Sequence, residues 1–218
     1  MRPIIFCDFD GTVTNSDNII ALMKQFAAPE WEAIAEAVLS KRISIREGVG
    51  NMFSLLESGQ KEKYIDFLLE HTKIREGFAE FIDFVKENEI RFYIISGGMD
   101  FFIEPILKPF DLKYIYCNNA KFDEEFIRIE WPNSCDDKCS NDCGCCKPSI
   151  MRNLAGPDDF TIVIGDSITD LEAAKKADLV LARDFLKRKC EQEGIAHLPF
   201  ETFHDCKAAL KNRLEVII

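Results

Sequence analysis

PIIFCDFDGTVT, residues 3–14, begins with an apolar run of β type, Ile4-Ile5-Phe6-Cys7, and ends it on Asp8-Phe9-Asp10 and a glycine turn, Gly11-Thr12. In an extended segment alternate side chains share a face, so Asp8 and Asp10 point the same way and Phe9 points back into a core. Two carboxylates side by side at a strand end repel each other, and burying either without a counter-charge is costly. The arrangement calls for a cation between them or a shared proton. A hard divalent ion such as Mg²⁺ suits ligands of this kind.

Downstream of Thr14 the texture turns helical. Ser16 or Asp17 can cap a helix carrying Ile19, Ile20, Leu22, Met23 and Phe26. Pro29 suits the first turn of a second helix running through Leu39. Ser44 caps a third helix, with Ile45, Val49, Met52, Phe53 and Leu56 on one side and Gly59 as its stop, and Gln60 to His71 reads as a fourth. Residues 15–76 therefore form a small helical insertion directly after the first strand.

From Gly77 an α/β rhythm resumes. A helical stripe of Phe78, Phe81, Ile82 and Val85 leads to a buried strand at 91–95 that ends in Ser96-Gly97-Gly98. A helix over 99–107, a strand over 114–117 and a period-two stretch over 122–131 follow, the last read as a β-hairpin with Ile127, Ile129 and Trp131 on one face. A cysteine-rich loop, 133–146, precedes a helix opened by Lys147-Pro148-Ser149. The strand 160–164 runs into GDSITD, residues 165–170, then a helix over 168–176, a strand over 178–182 and two closing helices, 183–193 and 202–214. Strands alternating with helices predict an α/β fold, a Rossmann-like mostly parallel sheet whose ligands gather at the strands' carboxyl ends. The expected division is a core of 1–14 and 77–218 with the helical cap, 15–76, inserted.

DFDGTVT, the Ser96-Gly97-Gly98 turn, Lys147 at a helix start and GDSITD occur in the order of the four motifs of the haloacid dehalogenase superfamily of phosphatases, and the chain resembles that family. The resemblance implies roles residue by residue. Asp8 would be the nucleophile, Asp10 the acid and base, and Ser96 with Gly97 the holders of the phosphate. Lys147 would neutralise the attacking carboxylate and the phosphate, and Asp166 would complete an Mg²⁺ site with Asp8 and Asp10. Asp170 and Thr12 would support the site. The helical insertion and the DFDGT and SGG wording resemble the phosphoserine phosphatase branch. There Asp17 takes the place of a glutamate that binds the substrate amine, and Met52 falls near the place of an arginine that pairs with the substrate carboxylate. A methionine cannot pair with a carboxylate. Over its whole length, including the CGCCK approach to Lys147 and GDSITDLEAAKKADLVLARD, the chain is similar to phosphatases of methionine salvage. That similarity implies a small phosphorylated metabolite, an acyclic enol phosphate with a methylthio tail, and makes Met52, Met23, Phe53 and Asp17 candidates for contact with it.

A chain of 218 residues with 47% hydrophobic residues and 18 Phe can bury a core and carry an inserted piece. A formal charge of -11 without a basic run argues against nucleic acid or an anionic membrane as partner. No signal peptide is recognisable and no stretch approaches the roughly 20 apolar residues of a membrane span, so a cytoplasmic location is expected. His71, His197 and His204 lie outside every motif, and GxxxxGK[ST], GxGxxG and HExxH are missing.

Of nine cysteines, Cys135, Cys139, Cys143, Cys145 and Cys146 crowd into one loop. Their consecutive spacing, C-x3-C-x3-C-x-C-C, leaves reduced thiols as the default reading and a structural Zn²⁺ site as the alternative. Besides a phosphatase specific for the enol phosphate, two readings remain open at this stage. One is a phosphoserine phosphatase or phosphotransferase of the same superfamily. The other is a non-catalytic zinc- or partner-binding protein on the same fold.

Overall fold

In a computed structural model that describes residues 2–217, with side-chain surroundings given for 2–213, β1 (Arg2–Cys7) is the middle strand of a seven-stranded sheet. On one side of it lie β2 (Arg91–Met99), β3 (Ile115–Lys121) and β4 (Arg128–Glu130). On the other lie β5 (Asp159–Gly165), β6 (Leu179–Ala182) and β7 (Leu198–Pro199). Every neighbouring pair is parallel except β3 with β4. The order reverses at β1, so the loops leaving β1 and β5 open a crevice at the carboxyl edge of the sheet. Cys7 stands opposite both Ile94 and Ile164, which brings the residues that follow all three strands to one place.

Alternation along β1 divides the core. Ile4 and Phe6 pack on one face of the sheet with Tyr93, Ile95, Ile150, Met151 and Val163. Ile5 and Cys7 face the larger cluster on the other side, which includes Phe78, Phe81, Ile94, Ile164 and Phe203. That side is covered by α5 (Phe78–Glu87) and α10 (Phe203–Ile217), joined by the edge-on pair Phe78 and Phe203 at 4.9 Å. The first face carries α7 (Lys147–Leu154), whose Ile150 and Met151 supply its apolar contacts.

Between β1 and α5 lie four inserted helices: α1 (Asn18–Phe26), α2 (Glu30–Leu39), α3 (Ile45–Phe53) and α4 (Lys61–His71). Asp17 caps α1 by accepting from Ile20 N at 3.0 Å, and Ser44 caps α3 by accepting from Glu47 N at 3.0 Å. The chain leaves the sheet and returns to it at adjacent points. Thr14 and Ile74 form an antiparallel bridge, flanked by Asn15 N to Lys73 O at 2.9 Å and Arg75 N to Val13 O at 2.8 Å. Phe53 of α3 packs edge-on against Phe101 of α6 (Asp100–Leu107), 6.4 Å between centroids, so the inserted helices share the main core.

Several element boundaries differ from the sequence expectation. Strand β2 continues through Ser96-Gly97-Gly98 to Met99, with a register shift against β3 between Ile95 and Met99. The helix expected from Met99 therefore starts at Asp100. The hairpin is real but shifted: β3 extends to Lys121 and supplies its first arm, and the acidic run Asp123-Glu124-Glu125 lies between the arms. The expected alternation holds in its second arm, where Ile127 and Ile129 are buried and Phe126, Arg128 and Glu130 are exposed. After β5 a single 3₁₀ turn, Ile168–Asp170, leads into a short α8 (Leu171–Ala174) rather than one continuous helix. The two-residue β7 is too short to carry a periodic signal in the sequence. The chain then completes α9 (Asp184–Glu193) and α10. Among the described residues no helix is long and apolar enough to cross a membrane.

Candidate active site

Asp8 follows the last residue of β1, and the chain then makes one wide turn, Phe9–Val13, closed by Thr14 N donating to Phe9 O at 3.0 Å. Gly11 takes φ +79° there, and a Cβ on it would run into the Asp166 carboxylate. The turn is held from below by Arg75, which is buried. Its Nε donates to Thr12 O at 2.7 Å, and Nη2 donates to Gly11 O at 2.7 Å and Thr14 O at 3.0 Å. One guanidinium thus satisfies three carbonyls that the turn leaves without backbone partners.

Asp8 Oδ1 accepts from Phe9 N at 2.8 Å and lies 2.8 Å from Lys147 Nζ. With Oδ1 so engaged, Oδ2 is the oxygen available to a ligand. The same ammonium reaches Asp170 Oδ1 at 2.5 Å. Lys147 is the first residue of α7, and Asp170 closes the turn after β5, so one buried ion triad joins three elements. Asp170 Oδ2 also accepts from the backbone N–H of Asp166 at 3.2 Å and Ser167 at 3.0 Å, which fixes the loop that carries Asp166. Asp166 Oδ1 takes a hydrogen bond from Thr12 Oγ1 at 2.7 Å, tying the β5 loop to the β1 loop.

Asp10 is held differently. Its Oδ1 accepts from Asn18 N at 3.0 Å and from Asn18 Nδ2 at 2.7 Å, and its Oδ2 accepts from Ser96 Oγ at 3.3 Å. Ser96 is fully buried and accepts in turn from Gly98 N at 2.9 Å. A Cβ on Gly98 would sit 2.8 Å from Asp10 Oδ2, so a larger residue there would displace the carboxylate. Among the described residues, nothing beyond the chain neighbours of Gly97 lies within 4 Å of the corresponding point on it, so an anion can approach that backbone closely.

Charge sets the character of the cluster. Burial and the Asp170 carboxylate hold Asp8 well above the usual carboxylate range, with Lys147 acting against them. Desolvation pushes Asp10 up to about 7, Asp17 adds to the rise, and the hydrogen bonds from Asn18 and Ser96 oppose it. Desolvation and Asp170 likewise push Asp166 up to about 7 against the pull of Thr12 and Lys147. Burial alone would lower the Lys147 ammonium, but Asp170 and Asp8 more than offset it and the group stays charged. Asp8, Asp166 and Asp170 offer oxygens all within 4.8 Å of one another. Three carboxylates against one ammonium leave a net negative charge in a buried place, and the donors are all oxygens. That donor set fits a hard divalent cation.

The structure thus brings together Asp8, Asp10, Thr12, Ser96, Gly97, Lys147, Asp166 and Asp170. Of the residues suggested for contact with a substrate tail, Met23, Met52 and Phe53 are buried in the main core cluster, and Asp17, the cap of α1, lies close enough to Asp10 to raise its pKa. Sequence reasoning missed Asn18 and Arg75, and with them Thr72, whose Oγ1 donates to Asn18 Oδ1 at 2.6 Å. That bond turns the amide so that Nδ2 faces Asp10.

A strand-end carboxylate facing a lysine and an acidic turn, at the reversal point of a parallel sheet, agrees with comparison to known proteins. A family profile described as haloacid dehalogenase-like hydrolase matches residues 5–175, and the chain belongs to that family. Among curated relatives, a protein of Geobacillus thermodenitrificans named 2-hydroxy-3-keto-5-methylthiopentenyl-1-phosphate phosphatase is 57% identical over 98% of this chain and 97% of its own. A protein of the same name from Bacillus cereus is 57% identical over 97% of both. Among solved structures, substrate-bound phosphoserine phosphatase superposes with a TM-score of 0.68 at 20% identity, over 87% of this chain and 90% of that one. Phosphoserine phosphatase from T. onnurineus gives 0.71 at 16%, over 97% and 96%. At such identities the structural likeness concerns the fold.

Proposed function

We propose that this protein is an Mg²⁺-dependent phosphatase that hydrolyses 2-hydroxy-3-keto-5-methylthiopentenyl-1-phosphate to 1,2-dihydroxy-3-keto-5-methylthiopentene and phosphate, a step of methionine salvage. The observation that carries the substrate is the near-full-length identity, 53–57%, to relatives bearing that name. The chemistry rests on Asp8, Asp10, Lys147 and Asp166 meeting at one strand edge.

In this reading Asp8 Oδ2 attacks phosphorus as the bond from phosphorus to the substrate oxygen breaks, giving an aspartyl phosphate. Asp10, raised to about 7 so that it is protonated in a substantial fraction of molecules near neutrality, gives its proton to the departing oxygen. As a carboxylate it then takes a proton from water, which attacks the same phosphorus and frees Asp8. Lys147 neutralises Asp8 while the anion approaches, and Ser96 Oγ and the backbone at Gly97 orient the phosphoryl oxygens. Mg²⁺ held by Asp8, the Asp10 carbonyl and Asp166 would supply the positive charge that lets two anions meet. Residues 15–76 serve as a cap on a core of 1–14 and 77–218, and α1 brings Asn18 to the acid.

The test compares phosphate release from the enol phosphate, generated in situ from its diketone precursor, with release from phosphoserine, using Mg²⁺ and an Asp8→Asn control. Strong preference for the enol phosphate, lost in the control, is expected. Preference for phosphoserine would overturn the substrate assignment, and release surviving in Asp8→Asn would overturn the mechanism.

A further inference from the structure

The loop between β4 and α7 gathers four sulfurs. The Sγ atoms of Cys135, Cys139, Cys143 and Cys146 all lie within 4.8 Å of one another, and Cys139 and Cys143 are 4.0 Å apart. A tetrahedral site with metal–sulfur bonds of about 2.3 Å has sulfur–sulfur edges of about 3.8 Å, so small side-chain adjustments would close this cluster on one ion. None of the four is in a disulfide.

Cys145 does not belong to the set. It points to the other side, where its Sγ lies 3.8 Å from Tyr116 O and packs in the core beneath α7. With Cys145 removed from the count, the spacing becomes C-x3-C-x3-C-x2-C, ending in a C-x2-C pair that consecutive counting conceals. Gly144, φ +77°, lets the chain double back between the two members of that pair, and a Cβ there would meet the Trp131 ring at 2.8 Å.

Hydrogen bonds around the cluster donate to sulfur. Cys143 N donates to Cys135 Sγ at 3.4 Å. Ser149 Oγ accepts from Asp136 N at 3.1 Å and from Arg152 Nη2 at 3.1 Å, neither of which can accept in return. Its one proton therefore goes to Cys146 Sγ, 2.9 Å away, the arrangement a thiolate requires. Positive charge stands close by: Arg152 is anchored by Asp136 at 2.5 Å, and Cys146 is the cap at the amino end of α7.

We propose that Cys135, Cys139, Cys143 and Cys146 bind one structural Zn²⁺ that fixes the start of α7 and thereby the position of Lys147. Four thiolates with no open position make a closed site, suited to holding a loop and not to chemistry. The loop has a second attachment. Asp142, next to the ligand Cys143, accepts from Ser44 Oγ at 2.6 Å and, through its carbonyl, from Arg46 N at 3.2 Å, at the amino end of α3. The ion therefore ties the inserted helices to the lysine helix. The site stands whether or not the substrate assignment does, because its primary readout is metal content.

Elemental analysis of the untagged, reduced full-length protein is expected to give about one zinc per chain that survives dialysis. Exchange for Co²⁺ should produce the ligand-field bands of a tetrahedral tetrathiolate site. Cys139→Ser and Cys143→Ser should lose the zinc, while Cys145→Ser and Cys190→Ser keep it. Folded wild-type protein without zinc and without a cobalt spectrum would overturn the proposal. So would iron in its place, a disulfide among the four, or zinc retained in the Cys139→Ser, Cys143→Ser double variant. Should the ligand variants fail to fold, the metal content and cobalt spectrum of the wild-type protein decide the question.

Discussion

Asn18 grips the carboxylate of Asp10 twice through one oxygen, by its backbone N–H at 3.0 Å and its side-chain amide at 2.7 Å, and Thr72 holds the far end of that amide. In the proposed mechanism the contact makes α1 and the end of α4 part of the catalytic geometry, since movement of either would move Asp10. Asn18→Ala removes the amide and leaves the backbone bond. The expected result is a fall in kcat on the order of 10- to 100-fold with KM little changed, a part of the roughly 10²–10⁴ that a positioned acid contributes. Thr72→Val should give a smaller loss in the same direction. Steady-state kinetics on the two variants checks both, and an effect confined to KM would assign Asn18 to substrate binding instead.

How much of this was legible beforehand depends on where the information lies. DFDG and GDSITD could be read because strand, turn and carboxylates are encoded within a few adjacent residues. Asn18 and Arg75 could not, because neither carries a local pattern. Arg75 acts on carbonyls more than 60 residues earlier, and an isolated arginine usually marks a surface. Met23, Met52 and Phe53 were ambiguous for another reason: an apolar helical stripe looks the same whether it faces a core or a ligand, and here the core takes it. The cysteine loop has no periodicity, so only the fold separates Cys145 from its four neighbours.

The carboxylate cluster makes a prediction about stability without metal. Asp8, Asp10 and Asp166 are all raised in the folded state, the last two to about 7. Between about pH 4 and about 7 the native protein then binds more protons than the unfolded chain, so stability declines as the pH rises through that window. Asp136, lowered to about 2 chiefly by its hydrogen bond from Arg152, works in the opposite sense, but its contribution is lost only as the pH falls below about 4. Thermal unfolding after dialysis into Mg²⁺-free buffer should show Tm falling from pH 5 toward about pH 7. Saturating Mg²⁺ should flatten that slope, and Asp166→Asn should reduce it without Mg²⁺.

Among the described residues Lys147 is the only ammonium paired with Asp8 and Asp170, and all three groups are buried. Lys147→Met keeps the bulk and removes the charge, which leaves two carboxylates facing each other. Breaking a buried pair in this way costs about 3–5 kcal/mol, and the denaturation midpoint should fall accordingly. Activity should fall by at least about 10²-fold, since Asp8, the proposed nucleophile, loses its neutralising partner. Lys147→Arg is expected to restore little of either, because a planar guanidinium does not fit a pocket shaped for one nitrogen.

Arg75 supports the turn that presents Asp10 and the residues after it, yet touches none of the carboxylates. Its Nε and Nη2 supply three hydrogen bonds of 2.7–3.0 Å to Thr12 O, Gly11 O and Thr14 O. Arg75→Ala leaves those carbonyls in a buried place with room for water to replace only part of the guanidinium. At about 1–3 kcal/mol for each acceptor left unpaired, less what entering water restores, a net loss of about 2–4 kcal/mol is expected. Arg75→Lys keeps the charge but offers a single nitrogen that cannot reach all three, so its stability should fall between the two. Because Gly11 and Thr12 also pack against Asp166, a loosened turn should weaken Mg²⁺ binding before it abolishes folding. Titrating activity against Mg²⁺ in Arg75→Lys under conditions where the variant is fully folded separates these effects. A raised Mg²⁺ requirement supports the bracing role, and an unchanged one would confine Arg75 to stability alone.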